Sequence, residues 1–347
     1  MGLEKRSVER AQRRRGGAEY RERAQGKRTR RRGTWQRGLL AALITGALVV
    51  PLAAAARPEI PAPDPAVLGQ VTAATLDEVF AANRANAAEA SRMAAAHGDT
   101  HRAAAERSMA GPSRRLLAFD GRGPGRVIEV FGDLARADRI AVLVPGSDTS
   151  LDTYTRFRAG ALALRDQLTR ETGGSDVVAV VAWLGYRTPG TVSVDVLTDG
   201  LAEQSAPHLR VFVGELRDVA GEDVHVALLC HSYGSAVCGR AAPGLEVDDI
   251  ALLGSPGTGA DSAAALRTSA RIWAARGAED WIADVPHVKA GFFGMSVGFG
   301  TDPVSPAFGA RVFEARGGHS DYFAPGSASL AGLAGITLGR ISAVPRA

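Results

Sequence analysis

The stretch Val226-Ala227-Leu228-Leu229-Cys230-His231-Ser232-Tyr233-Gly234-Ser235 carries a strand pattern into a helix pattern across one serine. That is the outline of a nucleophile elbow, a sharp and strained turn that lifts a hydroxyl clear of the backbone. Small residues are needed two places before and two after the serine, because strand and helix crowd together there. Gly234 meets the need, and Cys230 stands where glycine is usual, a thiol being among the smaller substitutes. A serine hydroxyl becomes a useful nucleophile only when a histidine takes its proton and an acid orients that histidine. In a strand-turn-helix frame the partners follow in chain order, acid then histidine. Of seven histidines, only His287 and His319 come after the elbow. His319 sits in Gly317-Gly318-His319-Ser320, a glycine-rich loop able to swing an imidazole over a sheet edge. Asp280, shortly after the apolar run at 271–275, is the first choice of acid, with Asp284 and Asp302 in reserve and Asp321 too near His319 to lead. The plainer readings are a helix-start serine, a surface-loop histidine and a turn-capping aspartate. His231 reads as packed beneath the turn, since neighbours on an elbow point apart.

The oxyanion that develops on an ester carbonyl needs two preorganised N–H donors. The backbone N–H of Tyr233 is one. The second is expected from the loop Val144-Pro145-Gly146-Ser147-Asp148, where Gly146 allows close approach; Ser147 is preferred and Asp148 is the other candidate.

These residues need a scaffold. From Arg114 onward, β-rich runs at 114–119, 126–131, 139–144, 176–183, 223–230, 248–254, 271–275 and 310–315 alternate with helical stretches at 151–172, about 197–219, from Tyr233 and from about Ser327. The runs 140–144 and 177–182 are apolar throughout, which predicts burial on both faces in a mostly parallel sheet with helices on each side. The stretch from Gly254 to Arg271 is too short for a large helical cap, so the site is expected to be open. The loop from Trp281 to Ala310, with Trp281, Phe292, Phe293, Met295 and Phe299, is expected either to wall the pocket or to join the core. Ahead of all this, residues 66–113 are Ala-rich, with Leu68, Val71, Leu76, Val79 and Phe80 at helical spacing and a break near Gly98.

Taken in order, H-S-Y-G-S at His231 to Ser235, G-S-P-G at Gly254 to Gly257 and G-H-S at Gly318 to Ser320 resemble the motifs of an α/β-hydrolase, specifically of an uncharacterised family found in exported actinobacterial proteins. The resemblance covers about Arg114 to Ile341. It implies the α/β-hydrolase fold over 114–347, with a mostly parallel central sheet, helices on both faces, no large cap and a Ser232-His319-Asp280 triad. It says nothing of the substrate.

Composition bounds the rest. A chain of 347 residues that is 46% hydrophobic and 22% charged is no disordered polymer. Its formal charge of +4 is unevenly spread, because residues 1–37 hold 14 Lys and Arg against four Glu, while the remainder has 27 against 33 Asp and Glu. A nucleic-acid partner is therefore not expected. The uncharged run at 38–56 follows the arginines and ends in an A-x-A-like pattern at Ala54 and Ala56. It reads as a signal peptide or a signal anchor, with Arg30-Arg31-Arg32 admitting a twin-arginine route. The predicted organisation is a basic leader with its signal over 1–56, a Pro-rich linker over 57–65, the helical segment over 66–113 and the catalytic domain over 114–347, secreted or membrane-anchored through 38–56. The two cysteines, Cys230 and Cys238, form no metal set. Counted along strand and helix they stand about 9 Å apart in rise, which predicts small buried thiols. The expected activity is that of an exported serine hydrolase on a small-molecule or lipid-like ester, without a cofactor. An acyltransferase using the same triad and a non-catalytic envelope binding protein are the alternatives.

Overall fold

The computed structural model describes residues 59–191, 193, 199–285, 290–292, 295–297, 299–340 and 344. The leader over 1–56, the beginning of the Pro-rich linker, His287 and Phe293 lie outside the described residues. Ten strands follow in chain order: β1 (Leu116–Asp120), β2 (Arg126–Phe131), β3 (Arg139–Val144), β4 (Val178–Leu184), β5 (His225–His231), β6 (Asp249–Leu253), β7 (Arg271–Ala275), β8 (Ala290–Phe292), β9 (Met295–Val297) and β10 (Arg311–Val312). Six α-helices accompany them among the described residues: α1 (Leu76–His97), α2 (Thr100–Met109), α3 (Tyr154–Thr172), α4 (Gly200–Ala220), α5 (Gly234–Ala241) and α6 (Ala328–Thr337).

Eight strands form one sheet in the order β1-β2-β4-β3-β5-β6-β7-β10. β2 runs antiparallel to both β1 and β4, and every pairing from β4 to β10 is parallel. The apolar strands β3 and β5 occupy the centre, where both faces are covered, as their unbroken hydrophobic pattern requires. The chain leaves β3 for β4 on one side and then returns to place β5 on the other. That reversal opens a crevice beyond the carboxyl ends of β3 and β5. Leu164, Leu168, Leu330 and Leu333 bring α3 and α6 onto one face, while Leu209, Leu216 and Val237 bring α4 and α5 onto the other. β8 and β9 pair only with each other, a hairpin in the stretch read from sequence as loop.

The N-terminal helices belong to the same compact unit as the sheet, residues 60–347. α1 contributes Leu76 and Phe80 to the core on one side and Ala87 and Ala90 to the core on the other, so it wraps the border of the sheet at β1. Asn83 Nδ2 donates to the carbonyls of Leu116 and Leu117 at 3.1 and 3.0 Å. An otherwise open strand edge is thereby occupied. Leu68 and Val71, expected at helical spacing, precede α1 in chain without regular structure. Pro61, Pro63, Pro65 and Gly69 disfavour a helix there.

Two polar networks tie the layers together. Glu129 on β2 receives Arg114 at 2.5 and 2.8 Å and the Tyr154 hydroxyl at 2.9 Å, linking the antiparallel edge to α3. Arg102 on α2 donates to both oxygens of Asp152 at 2.8 Å and to the carbonyls of Gly121 and Gly123 at 3.1 Å. Beside it Glu106 is 1% exposed, with neither carboxyl oxygen hydrogen-bonded and Arg102 Nη1 4.0 Å away. Burial raises the Glu106 pKa to about 7, with Arg102 offsetting only part of the penalty. A carboxyl whose folded pKa lies above its unfolded value favours the fold while protonated, and that stability is lost as pH rises from about 4.5 through 7. Urea unfolding across pH 5 to 8 should therefore show wild type losing up to ~3 kcal/mol relative to Glu106→Gln, with the difference vanishing at acid pH.

Candidate active site

Ser232 follows β5 with φ 53°, a left-handed backbone that a serine adopts only under constraint. Its N–H donates to Leu253 O at 2.8 Å, so the ladder between β5 and β6 runs up to the corner itself. Helix α5 then begins at once. A Cβ on Gly234 would lie 2.6 Å from Pro145 O, and one on Gly146 would lie 2.5 Å from Ser232 Cβ. Both positions need glycine because backbones converge there, and Gly146 brings the loop after β3 against Ser232.

His319 Nε2 is 2.8 Å from Ser232 Oγ, and His319 Nδ1 is 2.8 Å from Asp280 Oδ1. With the ring proton on Nδ1 directed at the carboxylate, Nε2 is left to accept the serine proton. The predicted serine, histidine and first-choice acid are thus in one hydrogen-bonded line. Asp280 stands just beyond β7. It also accepts from Ile282 N–H at 2.9 Å and from the Tyr322 hydroxyl at 2.5 Å, and Tyr322 in turn accepts from Gly277 N–H at 3.0 Å. Burial alone would raise the Asp280 pKa, but the donors from His319, Tyr322 and Ile282 outweigh it and hold the group below its ordinary value. The reserve acids are placed otherwise: Asp284 is exposed, and Asp302 takes Arg276 at 2.6 Å. Asp321 accepts from Gly318 N–H at 2.8 Å, shaping the loop that carries His319.

Three supports take roles that the sequence reading did not assign. Tyr322 has no diagnostic spacing from Asp280. Gly254, φ 51°, lies under the acid–imidazole pair, where a Cβ would approach Asp280 Oδ2 to 2.6 Å and His319 Nδ1 to 3.0 Å. His231 does more than pack beneath the turn: its Nε2 is 2.6 Å from the backbone carbonyl of His319, and its ring lies 4.8 Å from the His319 ring. Burial, then the neighbouring His319, lowers the His231 pKa to about 4, so a neutral ring donates to that carbonyl. Of the two loop candidates for an oxyanion donor, Asp148 N–H is engaged by Pro189 O at 3.0 Å. The Tyr186 hydroxyl donates to Pro145 O at 2.6 Å, fixing that loop beside Ser232. Among the described residues no cluster of His, Cys, Asp and Glu has the make-up of a metal site.

The cysteines correct the sequence reading. Cys230 and Cys238 form a disulfide rather than free thiols, with Cα atoms 6.5 Å apart. The expected separation treated strand and helix as one ascending path. In fact α5 starts only at Gly234 and turns back beside the strand end, which brings Cys238 within bridging range. The bond closes a short loop around Ser232.

Residues 120–290 match a family model described as Alpha/beta hydrolase. With the strand order and the elbow, this decides the architecture. The chain has the α/β-hydrolase fold. The matched stretch includes Ser232 and Asp280 and stops before His319. An uncharacterised protein of Mycobacterium bovis is 33% identical over 178 residues, 47% of this chain and 66% of that protein. Another, from Mycobacterium tuberculosis, is 30% identical over 256 residues, 64% of this chain and 38% of that protein, so this chain spans less than two fifths of that relative's length. Among solved structures, a serine hydrolase without a lid from Xanthomonas campestris aligns with TM-score 0.34 at 20% identity, covering 50% of this chain and 74% of its own. A CIB-like hydrolase from Thermoplasma acidophilum aligns with TM-score 0.40 at 14% identity, covering 66% and 97%. Likenesses this distant say nothing of substrate.

Replacing both cysteines by serine should lower unfolding free energy by about 2 to 3 kcal/mol, as expected for a short closed loop. Chemical denaturation of oxidised wild type and the double variant measures it; equal midpoints and slopes would show that the bridge contributes no stability.

Proposed function

We propose that the protein is an exported serine hydrolase that cleaves an ester of an apolar acyl or alkyl substrate through an acyl-enzyme. The observation that carries this reading is the unbroken hydrogen-bonded line from Ser232 Oγ through His319 to Asp280. In the proposed first step Ser232 Oγ attacks the carbonyl carbon while His319 Nε2 takes its proton. The negative charge on the carbonyl oxygen falls to the N–H groups of Tyr233 and Ser147. The tetrahedral adduct then collapses. The C–O bond to the alcohol breaks, and the proton on Nε2 passes to the departing oxygen. Water repeats the sequence on the acyl-enzyme and releases the acid. Asp280 stays ionised throughout, because its donors favour the charged form, and its charge balances the imidazolium as it forms.

Export belongs to the same proposal. The Cys230–Cys238 bond supports it, since disulfides persist in oxidising compartments. No helix among the described residues is long and apolar enough to cross a membrane; the signal or anchor in this proposal is the uncharged run at 38–56. Sequencing the N-terminus of the exported protein distinguishes a cleaved signal from an anchor.

A fluorophosphonate should label Ser232 in the folded wild-type protein and leave Ser232→Ala unlabelled, with ester turnover falling by at least about 10³-fold. Folded wild-type protein that takes no label overturns the reading. Tyr322→Phe should lower kcat/KM about tenfold, because a buried carboxylate loses one donor. The Asp280 pKa itself should rise in this variant, since the lost hydrogen bond had helped to hold it down.

A further inference from the structure

Trp281 is the residue that the proposed triad leaves unexplained. It opens a short 3-10 turn immediately after Asp280, and its indole lies 4.6 Å from the His319 ring at 48°. Yet it is 49% exposed, whereas Ile282 beside it is buried and seats the turn in the core. A large aromatic face is thus left open to solvent at the catalytic imidazole. Phe299, another aromatic of the same stretch, is buried edge-on against Tyr233 at 5.6 Å, and its carbonyl presses on Gly257.

The order of bond making fixes what would meet this face. During acylation the carbonyl oxygen turns toward the loop at Gly146, which touches Ser232 from one side. The departing oxygen must instead come within hydrogen-bond reach of His319 Nε2, which returns the proton to it. The group attached to that oxygen therefore emerges beside the imidazole, where the indole stands. We propose that Trp281 is the binding platform for the alcohol half of the ester, and that the substrates are esters of apolar, ring-bearing alcohols. This inference rests on the serine-hydrolase reading. The alcohol leaves in the first chemical step, so Trp281 acts on acylation and has no part in hydrolysing an acyl-enzyme already formed.

The test uses the full chain and pairs of esters with one shared acyl group, acetate, butyrate or octanoate, joined either to ethanol or to 2-phenylethanol. The ratio of kcat/KM for the phenylethyl over the ethyl ester should fall about five- to tenfold in Trp281→Ala, in the range of one aromatic contact, and be largely kept in Trp281→Phe. Hydrolysis of the common acyl-enzyme, followed by single turnover, should be unchanged. An equal loss on both esters, or a loss confined to changes in acyl length, overturns the proposal. So does wild type that labels at Ser232 but turns over no phenylethyl ester. Wild type that neither labels nor turns over any ester instead removes the hydrolase reading beneath it. Should Trp281→Ala fail to fold, Trp281→Leu keeps apolar volume without the ring, and an undiminished ratio there is equally fatal.

Discussion

A serine held in left-handed backbone is the constraint around which this molecule is arranged. The conformation costs about 1 to 3 kcal/mol, and it persists only where the surroundings over-determine it. Here the corner is gripped from several directions. The sheet ladder continues into the Ser232 N–H, Gly146 and Gly234 allow two further backbones to close in, and the cystine joins the strand beneath to the helix above. Because β5 is a central strand buried on both sides, the hydroxyl inherits the stiffness of the whole sheet.

Electrostatics are handled with similar economy. The Asp280 carboxylate lies deep in the protein and is held in its charged form by donors from His319, Tyr322 and Ile282 that stand in for water. The second imidazole at the site, His231, stays neutral and therefore adds no competing positive charge beside His319. It acts on the main chain, anchoring the loop that bears His319 to the very strand that leads into Ser232. Positioning and charge are thus assigned to different histidines.

Much of this was legible in the sequence because it rests on patterns of single residues. Unbroken apolar runs marked β3, β4 and β5, and the serine between a strand and a helix with Gly234 behind it marked the corner. Chain order narrowed the acid and the histidine, and the place of Asp280 after the run at 271–275 and of His319 in a glycine-rich loop chose between the candidates. What stayed hidden depends on how segments cross. The cystine was missed because rise along a path says nothing of a path that folds back. Tyr322 and Gly254 meet Asp280 through the packing of separate loops, so no spacing announces either. The engagement of Asp148 N–H depends on where Pro189 happens to lie, again a matter of two loops meeting. The hairpin of β8 and β9 is three residues a side, too brief for alternation to show.

The way α1 folds around the rim of the sheet has a practical corollary for dissecting the molecule. A fragment trimmed to begin at β1 would still contain Ser232, His319 and Asp280, the proposed triad. It would also bare the flank of that strand, with its carbonyls unsatisfied and the apolar floor beneath Ala87, Ala90 and Met109 open to water. Such a fragment is a recipe for self-association. The alanine-rich preface is therefore better regarded as upholstery sewn to the frame than as a detachable accessory.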